Sequence, residues 1–180
     1  MLMLLFSLPI LAQHNETHDG TSEFERHHLS VLGGVAFIPA GEKLEMAAAA
    51  TGSSVPESTV IVAPVIGLEY EYSFNPEWSL AFMTDLELQS YQIRVGDMPV
   101  LRENVWIISL VTMYKITHGL VIYAGPGYEI EHNHNFWVLR TGTKYEFELG
   151  KHWDLSPYFE FDWKEEYVSH SIGVTLGKKF

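Results

Sequence analysis

Between residues 29 and 180 the chain alternates apolar and polar positions in steps of two, interrupted by clusters of Gly, Asn, Asp, Ser and Pro. Successive side chains on a β-strand point to opposite faces, so a period of two predicts strands. The end of the chain is the clearest case. Val168, His170, Ile172, Val174, Leu176, Lys178 and Phe180 share one face there, and Ser169, Ser171, Gly173, Thr175, Gly177 and Lys179 share the other. Seven further segments alternate in the same way, over residues 29–37, 62–74, 78–89, 106–116, 120–131, 137–149 and 155–164. Asn75, Pro76 and Glu77 make a tight turn by their residue chemistry, and Thr117, His118 and Gly119 turn the chain again. Long loops are expected over 39–59 and 93–104, and short connections follow the second, fourth and sixth strands.

After the first twelve residues no window reaches the roughly 18 apolar residues of a spanning helix, whereas about 9–11 residues let a tilted strand cross. Such strands span a bilayer only as a closed barrel, because every backbone donor and acceptor must find a partner. The expected fold is all-β: an eight-stranded antiparallel up-and-down transmembrane β-barrel with both chain ends on the side of the short turns. A soluble barrel with its apolar face inward has the same alternation. Two features favour the membrane form. Gly34, Gly67, Gly125, Gly127, Gly142, Gly173 and Gly177 recur on the polar face. Glycine gains nothing on a solvated exterior but makes room for long charged side chains inside a narrow barrel. Trp78, Trp106, Trp137, Trp163, Tyr72, Phe74 and Phe180 lie toward the ends of the apolar faces, as interfacial girdles do.

Charge and composition narrow the function classes. A net charge of −12 opposes binding to nucleic acid and docking on anionic lipid through basic patches. With no cysteine there is neither a disulfide framework nor a thiolate metal site. Residues 1–12 are apolar and small and polar residues follow, as in the hydrophobic region and cleavage site of a secretory signal peptide. The usual basic n-region is missing. The expected organisation is a signal peptide over 1–12 with a truncated n-region, a flexible arm over 13–27 and a barrel over 28–180.

Over residues 28–180 the chain resembles the small eight-stranded outer-membrane barrels of the OmpA and OmpX type, in its pattern rather than through a motif. The resemblance implies a place in the outer-membrane lipid of a Gram-negative bacterium. It also implies that the barrel-assembly machinery reads the C-terminal strand, with Phe180 as the assembly signal. No catalytic residue or cofactor comes with it. The role left is structural, adhesive or surface-interaction, with a narrow cation-preferring channel as the alternative and the surface ligand open.

The polar face carries the chemistry. Glu69, Glu71, Asp85, Glu87, Glu129, Glu131, Glu146, Glu148, Glu160 and Asp162 would project into the lumen, among them Lys115, Arg140, Lys144, Lys164 and Lys179. Unpaired buried ions are costly, so these charges are expected to form a paired and hydrated network. The alternative use is a cation-attracting pore. The histidines form a second set, with His14, His18, His27 and His28 in the arm and His132 and His134 beside Glu131. Their spacing matches no firm metal signature, so no metal site is expected, and any binding would split into separate weak sites on opposite sides of the membrane. Catalysis is not expected. His170 has Ile172, not a serine, as its neighbour on the same face, and Ser169 and Ser171 point the other way.

Overall fold

In the computed structural model the described residues are 25–40, 59–95, 98–132 and 135–180. Residues 1–12, most of the arm, the loop over 41–58 and His134 lie outside them. Eight antiparallel strands follow one another: β1 (His27–Ala40), β2 (Thr59–Ser73), β3 (Trp78–Val95), β4 (Met98–Lys115), β5 (Leu120–Ile130), β6 (Phe136–Tyr145), β7 (Trp153–Lys164) and β8 (Val168–Lys179). Phe147–Glu148 continues β6 past Glu146 and pairs with the start of β7. Each strand pairs with its sequence neighbours, and β1 pairs with β8 from His28–Lys179 to Phe37–His170, which closes the barrel. Backbone bonds between His27 and Phe180, and from Lys179 N–H to His152 C=O, gather the start of β1 and the end of β8 at the turn end.

The barrel is apolar outside and polar inside. Leu29, Val31, Ile66, Leu68, Phe82, Leu110, Ile122, Leu139, Ile172, Val174 and Leu176 are exposed, while Glu69, Asp85, Glu129, Arg140, Lys144 and Asp162 are buried. Water would penalise such an exterior, and hydrocarbon would reward it. Aromatic pairs ring both ends of this belt. Tyr72 with Phe74 and Trp78 with Tyr114 lie at the turn end, and Tyr128 with Trp137 and Phe161 with Trp163 at the loop end.

The hairpin of β3 and β4 departs from expectation. A loop was expected over 93–104, but the two strands run 18 residues each and stay paired to Val95–Met98, leaving only residues 96–97 between them. Residues 90–95 alternate polar and apolar positions and so extend the strand, and a two-residue connection suffices to reverse the chain. A register shift between Glu87 and Ser90 marks where the hairpin leaves the barrel.

Three of the inward glycines make room for tyrosine rings, and Gly67, Gly125 and Gly127 let the backbone of the neighbouring strand come close. A Cβ on Gly34 would stand 2.6 Å from the Tyr158 hydroxyl, and one on Gly173 would stand 2.7 Å from it. On Gly142 it would strike the ring of Tyr123. Tyr158 and Tyr123 thus rest against these glycines.

Candidate functional site

The lumen is divided. Its loop-end part is packed with Leu32, Ala36, Ile38, Ala63, Val65, Val105, Ile107 and Phe136, with Tyr158 below and Ile61 and Tyr167 against them. A smaller apolar cluster, Ala81, Met83, Val111, Met113, Val121 and Tyr123, lines the wall of β3, β4 and β5. The charges occupy the remaining space in layers that descend along β6 and β7 toward the turns.

Nearest the loops, Lys164 Nζ lies 2.5 Å from Glu129 Oε2 and 3.9 Å from Glu87 Oε1, and donates to Tyr167 OH at 3.1 Å. Next comes Arg140. Its Nε and Nη2 donate to both oxygens of Asp162 at 2.8 Å each, its Nη1 pairs with Asp85, and Nη2 lies 3.7 Å from Glu160 Oε1. The planar guanidinium fork suits this bidentate geometry in a way an ammonium would not. Tyr123 OH donates to Glu160 at 3.1 Å, which gives that carboxylate a second partner.

Below lies Lys144, 2.6 Å from Glu69 Oε1 and 3.2 Å from Glu71 Oε2. Beside it His28 places Nδ1 3.4 Å from Glu71 Oε2 and Nε2 2.7 Å from Asp154 Oδ2. At the mouth, Glu146 Oε2 takes Lys115 at 2.7 Å and Lys179 at 3.5 Å. A cavity of about 1110 Å³ opens here, lined by His28, Glu71, Ser79, Lys115, Glu146 and Lys179 among others.

The structure therefore brings Glu69, Glu71, Asp85, Glu87, Glu129, Arg140, Lys144, Glu146, Glu160 and Asp162 together as one stack of ion pairs. Glu131 is buried at the loop end, where its backbone N–H donates to Asn135 Oδ1. Glu148 does not join. It sits at the last β6–β7 pair, directly opposite Asp154, and is exposed at the rim. Like charges placed opposite each other repel; Asp154 takes the inner place against His28, and Glu148 faces water.

His28 and Asp154 are the residues that sequence reasoning missed. His28 is not part of an arm: β1 begins at His27, and His28 is buried in the lumen. The signal was its parity, since His28, Ser30 and Leu32 share the inward face, and Asp154 shares one with Ser156 and Tyr158. The other described histidines lie elsewhere. His27 sits on the outside 2.7 Å from Tyr70 OH, His132 is exposed, and His170 stacks on Phe37 at 5.1 Å on the apolar face. Ser169 and Ser171 are buried on the opposite side from His170, so the three form no nucleophile–base pair.

A closed barrel with an apolar girdle and a salt-bridged interior is a transmembrane β-barrel, and its architecture is that of the small eight-stranded outer-membrane barrels. Three solved structures show the likeness. The N-terminal β-barrel domain of OprF from Pseudomonas aeruginosa superposes with a TM-score of 0.56 at 11% identity, over 87% of this chain and 98% of that one. Ail, the attachment invasion locus protein of Yersinia pestis, in complex with the heparin analogue sucrose octasulfate, gives 0.52 at 13% identity, over 86% and 99%. Neisserial surface protein A gives 0.51 at 14% identity, over 84% and 97%. No family model matches the chain, and no curated protein matches it by sequence.

Proposed function

We propose that this is a Gram-negative outer-membrane protein that meets other proteins at the cell surface through the β3–β4 hairpin. One observation carries the reading: the hairpin outruns the barrel. β2 follows β3 only to the pair Val65–Glu87, and β5 follows β4 only from Ile130–Trp106. Beyond those pairs each strand of the hairpin has an edge of backbone N–H and C=O groups outside any ladder among the described residues. Such an edge is a template for another extended chain. The register pairs Tyr91 with Arg102, Ile93 with Val100 and Val95 with Met98, which carries the ladder to the tip of the hairpin. A two-stranded ribbon is marginal in water on its own, and a third strand would complete it.

Topology supports the side. In outer-membrane barrels the short turns face the periplasm, which puts the hairpin outside. Ail is an attachment protein that was solved with a heparin analogue. A net charge of −12 suits a sulfated polysaccharide poorly, so the partner class here is a protein segment in extended conformation. Replacing residues 89–103 by a short turn should leave the barrel folded, with its shift in gel mobility on boiling, and abolish capture of immobilised extracellular-matrix proteins. Capture that survives the replacement, or a steady cation-selective current in planar bilayers, would overturn the reading. The apolar packing of the loop-end lumen argues against such a current.

Assembly belongs to the same proposal. Phe180 is exposed beside the turn-side belt, with Lys178 Nζ 5.0 Å above its ring, in reach of machinery that reads the terminal strand. Deleting Phe180 is expected to lower the amount of barrel in the outer membrane while export across the inner membrane continues. An unchanged yield of barrel would count against it.

A further inference from the structure

We infer that the turn-side lumen holds a divalent transition-metal ion, of the zinc type, on His28, Glu69 and Glu71. One ligand atom from each of the three lies within 4.8 Å of the others, and all three side chains are buried. Zinc with bonds of about 2.1 Å keeps tetrahedral ligands roughly 3.4 Å apart, so small side-chain rotations close the set. Two further observations point to a ligand. Glu69 is only 1% exposed, yet its Oε2 has no hydrogen-bond partner, which is costly for a buried carboxylate oxygen. Asp154 Oδ2, 2.7 Å from His28 Nε2, is a second buried carboxylate oxygen beside the set without a hydrogen-bond partner. The ring's Nδ1 faces Glu71. The cavity at the mouth reaches His28 and Glu71 and gives an ion its path from the turn side.

Imidazole with carboxylates selects zinc, copper or nickel, whereas magnesium and calcium take oxygen sets. Lys144 is the competitor, because its ammonium rests on Glu69 and Glu71. Ligation uses the neutral ring. Lys144 then leaves the carboxylates of Glu69, Glu71 and Asp154 with two uncompensated negative charges, which a divalent ion balances. Binding pushes the ammonium aside.

The test is calorimetric titration of zinc into the whole chain folded in detergent micelles. The expected result is a site holding one zinc ion, with no such site for magnesium. His28→Gln and Glu69→Gln should each weaken that site at least about tenfold. Lys144→Met should tighten it, since no ammonium must then be displaced. Gel mobility before and after boiling confirms that each variant is folded. Absence of saturable zinc binding by the wild type, or a site that survives His28→Gln in a folded barrel, would overturn the proposal. Should His28→Gln fail to fold, zinc affinity in Lys144→Met that is unchanged or weaker than wild type would overturn it.

Discussion

Arg140→Met should destabilise the barrel by about 3–5 kcal/mol, the usual effect of removing one partner from a buried charge cluster. Arg140 is 1% exposed, and its guanidinium is the cation that Asp85, Glu160 and Asp162 share. Methionine fills much of the volume but leaves three carboxylates facing one another, with Lys164 engaged one layer away on Glu129. Arg140→Lys should fall between, because it restores the charge without the bidentate fork on Asp162. Combining Arg140→Met with Asp162→Asn should recover part of the loss, since most of the penalty is the uncompensated charge. Urea unfolding in lipid vesicles, followed by the emission of the five tryptophans, measures all of these. A loss below about 1 kcal/mol, the range of an exposed pair, would show that water screens this layer and that it does not hold the barrel together.

Leu110→Arg should cost about 2–4 kcal/mol, and Trp106→Arg about 0–1 kcal/mol, although both side chains are 47% exposed on the same face of β4. Depth makes the difference. Trp106 and Tyr114 lie in the two aromatic girdles, and the eight steps between them cover roughly 26 Å of strand, which is about 20 Å of bilayer depth at the usual tilt. Leu110 falls midway, paired with Phe82, where a guanidinium has no water within reach. Equal effects at the two positions would mean that this face does not meet a bilayer. The same unfolding measurement in vesicles decides it.

The strand pattern carried the fold because the barrel is built from the one signal a single sequence displays well. Alternation in steps of two states which residues share a face, and a closed barrel has only two faces. The exposed Leu110 and the buried Asp85 could therefore be assigned from their neighbours alone. Glycines on the polar face and aromatics toward the strand ends then told inside from outside. The inward charges were legible for the same reason, save Glu148, whose parity is inward but whose place at the strand end leaves it in water.

Partners were not legible. Arg140 meets Asp85 across 55 residues and Lys144 meets Glu69 across 75. Such pairs depend on strand register and tilt, which alternation leaves free. His28 and Asp154 show the limit at strand ends. Each continues an inward parity, yet each stands where polar residues also suit an arm or a turn, and only closure of β1 onto β8 brings them together. The apolar packing of the loop-end lumen was hidden differently. Ala36, Val65, Val105 and Ile107 hold inward positions on four separate stretches of chain, and none makes a core alone. What the sequence determined by itself is the strand count, the two faces and the outward apolar belt, because these follow from the local geometry of one strand. What only the tertiary structure decided is the order of the ion pairs, the mouth around His28 and the hairpin that outruns the barrel. Those depend on where neighbouring strands begin, end and slide past one another.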